Sequence, residues 1–238
     1  MIIKVLDHGY VQLIESWGSE ERIIEAARMS TDKGFNGWGD AANPGDEKLL
    51  AHLYNHKHAT PFEMAGLIIE VKAPIFVVRE WHRHRTQGYN EMSARYVPLP
   101  NENYRPSVEE IVARSQAGVA NKNRQAQGSK ACTREEANQF LYRLDQLYWM
   151  AQSVYEEGLR LGVPKELSRL PVPVGRYTRM RATANLRNWL GFLTLRMAPD
   201  AQKEIREYAK AVGQIVAKHF PRTWNLFIGS VEQERKAA

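Results

Sequence analysis

A chain of 238 residues with 43% hydrophobic content can bury a full core, and no linker of biased composition divides it, so a single domain over residues 1–238 is expected. The net charge of +6 suits an anionic small ligand or nucleic acid, but no zinc spacing or nucleic-acid module signature appears, which sets nucleic-acid binding aside as the minor reading. The lone Cys132 excludes an intramolecular disulfide, no apolar run reaches membrane-spanning length, and residues 1–16 mix Lys4, Asp7 and Glu15 among apolar positions, unlike a signal peptide; a soluble cytoplasmic protein is expected.

Met1 to Val5 and Tyr10 to Glu15 read as two short strands around the turn residues Asp7, His8 and Gly9. Ser19 is placed to cap the following helix, with Glu20 and Glu21 near its positive end and Ile23, Ile24, Ala26 and Ala27 on its buried side. Residues 31–45 read as loop, and Asp46 then as the cap of a helix carrying Leu49, Leu50, Leu53 and Tyr54. His52 and His56 share a face of that helix and His58 follows, but the glutamate of a His-Glu-x-x-His motif is missing, so no metal is expected. Leu67 to Val71 reads as a strand, and Pro74 suits the first turn of a helix that turns Ile75, Phe76 and Val78 inward.

Directly after that helix comes the densest stretch of chemistry, Arg83-His84-Arg85-Thr86-Gln87-Gly88-Tyr89-Asn90-Glu91-Met92-Ser93-Ala94-Arg95-Tyr96. Arginine's planar fork suits phosphate or carboxylate, and the interleaved Asn90, Glu91 and Ser93 point to a shaped ligand with polar edges, since charge neutralisation alone needs only cations. Glu80, one helical turn earlier, can meet ligand or pair with a neighbouring arginine.

Residues 101–131 form a polar, irregular insertion with one short helix at 108–114, and mobility is expected over 121–130. Thr133 and Glu136 form a capping box for a long helix. Its stripe of Phe140, Leu144, Leu147, Tyr148, Ala151, Val154 and Tyr155 is expected to be core. Cys132, without a companion motif, is not expected to be a nucleophile. Tyr177 to Thr183 reads as a strand, followed by a helix with Leu186, Trp189, Leu190 and Leu193 that Arg196 closes. Asn185 and Arg196 lie close to three helical turns apart, roughly 16 Å, and can face one elongated cavity. Asp200 is read as the cap of a last long helix that Pro221 stops.

Arg83-His84-Arg85, seven residues and Ser93 resemble the Arg-His-Arg-x7-Ser signature of flavin-dependent thymidylate synthases, and Arg95-Tyr96 fits it too. Further matches are Ala26-Ala27-Arg28-Met29-Ser30, His58-Ala59-Thr60-Pro61-Phe62-Glu63, Asn185-Leu186-Arg187 and Leu195-Arg196. The resemblance implies an α/β (α+β) fold with a mixed sheet and long helices, usually a homotetramer with shared flavin sites. It implies reductive methylation of dUMP to dTMP with FAD, methylenetetrahydrofolate as carbon donor and NADPH as reductant, and no Gly-x-Gly-x-x-Gly fingerprint is needed or present. By the same resemblance Ser30, His58, Thr60, Arg83, His84, Arg85, Glu91, Asn185, Arg187 and Gly191 line the FAD site. Glu80, Arg83, Met92, Ser93, Ala94, Arg95, Arg169 and Arg196 meet the nucleotide. Arg196 is the catalytic candidate, a cation at the uracil edge, with a helix C-terminal cation as its structural alternative.

The chain departs from the family at Glu80, where glutamine is common, and at Gly88, Gly175 and Gly191, where side chains are usual. A carboxylate at Glu80 demands an extra cation, or accepts from a cytosine amino group. Two alternatives therefore stand beside the main reading: a folate-dependent hydroxymethylase of dUMP or dCMP, and a non-catalytic nucleic-acid-binding protein.

Overall fold

The computed structural model describes residues 1–40, 42–120 and 130–237. They group into two compact units, one made of residues 1–73, 77–91 and 179–238, the other of 74–76 and 92–178. The expected mobile tract at 121–130 falls almost wholly outside the described residues.

The five strands are β1 (Ile2–Val5), β2 (Gly9–Trp17), β3 (Gly66–Pro74), β4 (Gly88–Glu91) and β5 (Tyr177–Asn185), in the sheet order β1-β2-β3-β5-β4. The ladders β1–β2, β2–β3 and β4–β5 are antiparallel, with an irregularity between Leu13 and Glu15 that gives β2 one extra residue. The α+β class is as expected. Alternation decides the faces: Leu67, Ile69, Val71 and Ala73 of β3 are buried with Met180, Ala182 and Ala184 of β5. On the other face Tyr10 donates to Glu70 at 2.8 Å and Arg181 lies 3.5 Å from the same carboxylate.

The helices of the first unit are α1 (Glu20–Arg28), α2 (Gly45–Asn55), α3 (Ile75–Trp81, entering from the other unit), and, later in the chain, α7 (Leu186–Arg196), α8 (Lys203–His219) and α9 (Pro221–Ala237). Strand β3 runs straight into α3, and β5 straight into α7, so sheet pairing fixes where both helices start. Trp189 of α7 donates to the Leu67 carbonyl at 3.2 Å, Tyr208 of α8 to that of Lys72 at 2.7 Å, and Trp81 stacks on Phe192 at 4.6 Å. Ser19 caps α1 as expected. Two other caps differ from expectation. Asp46 lies inside α2, fully buried, paired with Arg28 and accepting the Asn36 amide at 2.7 Å; a buried carboxylate needs such partners, and it thereby ties the 31–45 loop down. Gln202, not Asp200, precedes α8. Pro221 does end that helix, and its fixed φ also starts α9.

The second unit holds α4 (Val108–Ala120), longer than expected, α5 (Arg134–Arg160) and α6 (Lys165–Ser168). The Thr133–Glu136 capping box forms. The predicted core stripe of α5 is split: Ala151 and Tyr155 are buried, as is Leu141 outside the stripe, but Phe140, Leu147 and Val154 are 53, 57 and 47% exposed, together with Trp149 and Leu161. Helical spacing identifies an apolar face without saying whether this chain itself covers it. Arg176, fully buried, donates to Asn103 at 2.9 Å and to the Pro100 carbonyl at 3.0 Å, strapping residues 100–104 to the unit. Gly175 belongs to that packing, because a Cβ there would stand 2.3 Å from the Tyr148 hydroxyl.

Removing the carboxylate in Asp46→Ala leaves the Arg28 cation without its buried counter-charge and is expected to destabilise the protein by about 3–5 kcal/mol, read from urea melts.

Candidate active site

The signature loop is held from three sides. Helix α3 ends at Trp81, whose indole N–H donates to Gln87 at 3.0 Å across the turn. The Tyr89 hydroxyl sits between the carbonyls of Trp81 (3.1 Å) and His84 (2.7 Å), and its burial pushes the phenol up to about 12, so it stays a donor. From α7, the Asn188 amide donates to the Thr86 carbonyl at 3.0 Å. A loop clamped in this way presents its side chains in fixed directions.

The arrangement converges on Arg196. Its Nε–H donates to His84 Nε2 at 2.7 Å, and its Nη1 pairs with Glu80 on α3. Accepting that bond requires the His84 ring to be neutral with its proton on Nδ1. Consistently, burial and then the Arg196 charge hold the imidazole below its ordinary value, with Glu80 opposing them. The ring also meets Phe192 edge-on at 4.9 Å. Arg196 is 17% exposed and Glu80 35%, so the pair lies at the surface of the site, with acceptor and donors side by side. Glu80 therefore takes its salt-bridge reading with an arginine distant in sequence, and Arg196 is also the cation in the last turn of α7.

The residues assigned to a flavin fall in the same unit. A cavity of about 820 Å³ is lined by His58, Arg187 and Gly191, and an adjoining one of about 350 Å³ by His58 and Thr60. Arg187 is held by Glu63 at 2.5 Å, and Asn185 caps α7 by accepting the Asn188 amide at 2.9 Å. Ser30 lies in an exposed turn, its hydroxyl 3.3 Å from the Ala27 carbonyl. Arg83, Arg85 and Glu91 are exposed and line neither cavity. The larger cavity has a size that holds a cofactor, an apolar body, cations in Lys57 and Arg187, and, among the described residues, no carboxylate in its lining, which fits an aromatic ring system attached to phosphates. A Cβ on Gly191 would meet nothing within 4 Å, so the space beside α7 is clear for it.

Among the nucleotide candidates, Met92, Ser93, Ala94, Arg95 and Arg169 belong to the second unit. There the Ser93 hydroxyl accepts the Arg95 amide at 3.3 Å. Arg95 lies 3.2 Å from Glu166 of α6, the short helix at whose end Arg169 stands. His52 and His56 stack at 4.1 Å, and among the described residues no group of three His, Cys, Asp or Glu is arranged to hold a metal.

Sequence reasoning missed the roles of Glu63 and Asn188 and the whole contribution of α9 to the large cavity, through Asn225, Gly229, Ser230 and Gln233. Glu63 stood in a matching stretch with no partner assigned to it, and Asn188 carried no local signal. A glycine within an otherwise helical run, Gly229, was a signal for the third.

A family model described as thymidylate synthase complementing protein matches residues 12–222. A flavin-dependent thymidylate synthase of Thermus thermophilus is 39% identical over 227 residues, covering 95% of this chain and 78% of that protein. One of Wolbachia pipientis wMel is 37% identical over 225 residues, covering 94% and 75%. Among solved structures, a UMP/dUMP methylase, PolB, from Streptomyces cacaoi bound with 5-Br dUMP aligns with a TM-score of 0.80 at 29% identity, covering 95% of this chain and 97% of that one.

Because the folded-state value of His84 lies below the unfolded one, its contribution to stability is complete above the ordinary imidazole value and is lost as pH falls toward the folded one. Urea melts from pH 8 to pH 5 should show a smaller acid loss in His84→Gln, whose side-chain carbonyl can still accept from Arg196 but does not titrate.

Proposed function

The chain belongs to the flavin-dependent thymidylate synthase family, and we propose that it methylates dUMP to dTMP, with methylenetetrahydrofolate as carbon donor and NADPH as reductant. It is an FAD-dependent enzyme of the methyltransferase class. When bound, FAD supplies the hydride that no side chain can supply. His58, Thr60, Arg187 and Gly191 would hold it along the two adjoining cavities, with Ser30, Arg83, His84, Arg85, Glu91 and Asn185 as further proposed contacts.

The observation that carries the reading is the fixed Arg196. Carbon C5 of a uracil becomes a better nucleophile as negative charge builds on the ring, and a cation at the base edge stabilises that charge without a covalent enzyme adduct. His84 and Glu80 engage two of the guanidinium's five N–H donors, set its plane, and leave donors for a base carbonyl. The pairing also answers the difficulty raised by Glu80. Arg196 supplies the extra cation that a carboxylate near a nucleotide demands, so Glu80 is compatible with dUMP. Arg95 and Arg169 suit a 5′-phosphate, and Arg83, Met92, Ser93 and Ala94 the rest of the nucleotide.

A homotetramer, which the family resemblance implies, is part of this proposal; the exposed apolar row of α5 and its C-cap, where Phe140, Leu147, Val154 and Leu161 recur every seven residues, offers a surface that copies of the chain can cover. A cytoplasmic location accords with this substrate set, and among the described residues no helix is long and apolar enough to cross a membrane.

Anaerobically reduced, FAD-loaded protein mixed with methylenetetrahydrofolate and dUMP should reoxidise its flavin and yield a product heavier by a methyl group. A hydroxymethylated product, or a response to dCMP alone, would replace the reading. Arg196→Ala should keep FAD and lose at least about a hundredfold in turnover, the scale for removing a charge-stabilising donor; near-normal synthesis would remove Arg196 from the mechanism. In light scattering, Leu147→Glu should reduce the assembled mass, whereas an unchanged tetramer would exclude α5 from the interface.

A further inference from the structure

A guanidinium carries only N–H donors, so Arg196 by itself would present a donor-only edge, which fits any carbonyl and cannot tell one pyrimidine from another. In this chain Glu80 changes that edge. Its Oε1 pairs with Nη1 of Arg196, while His84 Nε2 takes the Nε–H at 2.7 Å. Among the described residues, no side chain engages Nη2 of Arg196 or the second carboxylate oxygen, Oε2 of Glu80. What stays open is therefore an acceptor beside donors. Both partners are also held in place. Glu80 precedes Trp81, which is fully buried and stacked on Phe192, and Arg196 is pinned by the neutral ring of His84.

We propose that Glu80 is a specificity-determining residue whose open oxygen accepts the N3–H of an imide, so that the Glu80–Arg196 pair reads a uracil edge and rejects a cytosine edge; this rests on the activity proposed above. The uracil edge runs carbonyl, N3–H, carbonyl. With Arg196 donating to one carbonyl, the next atom along the edge is N3–H, and Glu80 supplies the acceptor that it needs. Drawing that hydrogen toward a carboxylate also leaves electron density on the ring, the direction in which C5 must change. Cytosine offers carbonyl, bare N3 and an amino group. With Arg196 on its carbonyl, the N3 lone pair would face the carboxylate, two acceptors in contact with neither satisfied. With Arg196 at the amino group, donor would meet donor. The amino group reaches Glu80 only if the ring slides one position along its edge, which carries C5 away from the place it takes in uracil. An amide at this position would lack the discrimination, because it can turn either its oxygen or its NH2 to the ring, whereas a carboxylate has oxygens alone.

The test titrates dUMP, N3-methyl-dUMP and dCMP by calorimetry into FAD-loaded wild type, Glu80→Gln and Glu80→Met. Methionine keeps the bulk of the side chain and removes the strong acceptor. Thermal melts and FAD titrations accompany each variant. Wild type should bind dUMP about tenfold or more tighter than either of the other nucleotides, the scale of a hydrogen bond to a charged group. Glu80→Met should weaken dUMP about tenfold but N3-methyl-dUMP by less than about threefold, with FAD affinity within about twofold of wild type. Glu80→Gln should keep the preference for dUMP over N3-methyl-dUMP and gain affinity for dCMP. A uniform loss of all three nucleotides in Glu80→Met would make Glu80 only the counter-ion of Arg196 and overturn the proposal. So would an N3-methyl penalty that survives in Glu80→Met, which would be steric, or wild type that binds dCMP as tightly as dUMP. If Glu80→Met does not fold, Glu80→Gln decides by its affinity for dCMP. FAD-loaded wild type that neither binds dUMP nor turns it over would defeat the activity proposed above, whereas wild type that makes dTMP, with variants whose preferences are unchanged, would defeat only the role of Glu80.

Discussion

A guanidinium that is mostly withdrawn from water must be surrounded by acceptors, and Arg196 finds two, a neutral imidazole and a carboxylate. Each acceptor comes from the α3 end of the chain, and the cation comes from the last turn of α7. Their meeting needs β3 and β5 adjacent, since those strands launch the two helices. It needs the Trp81–Gln87 bond and the Tyr89 hydroxyl to hold the intervening loop. The burial of Trp81, Trp189 and Phe192 beneath the loop then serves two ends at once, stabilising the first unit and fixing the floor on which His84 rests.

The signature was legible because its chemistry is contiguous: Arg83 to Tyr96 announces an anionic ligand whatever the fold around it. Element existence was also legible, for strands with strict alternation such as β3 and for α5 with its capping box. What sequence could not supply was the identity of distant partners. Helical spacing offers Glu80 an arginine near it on its own helix, yet its partner is Arg196. Asp46 looks like a cap because Asp before an apolar run usually is one, but burial beside Arg28 gives it another task. The α5 stripe shows the same limit from the other side, since periodicity reports a face and only the rest of the molecule, or its copies, can cover it.

The departures from the family pattern also separate once the geometry is known. A Cβ on Gly175 would stand 2.3 Å from the Tyr148 hydroxyl, and one on Gly88 would stand 3.0 Å from the Thr183 methyl across the β4–β5 ladder. These two glycines answer to packing. Gly191 answers to nothing in the protein, and for that reason it, rather than the others, points toward a ligand.

The span between His84 and Arg196, 112 residues, encloses the whole stretch from Met92 to Thr178. During synthesis the signature loop therefore leaves the ribosome long before its cation exists, and β3 waits as an unpaired edge until β5 arrives. Because closure entropy grows only logarithmically with loop length, so long an excursion is thermodynamically mild. Its cost is kinetic: contacts this distant in sequence form slowly, so nascent chains spend an interval with an apolar strand uncovered, when chaperone capture or misassociation with a neighbouring chain competes with completion of the site.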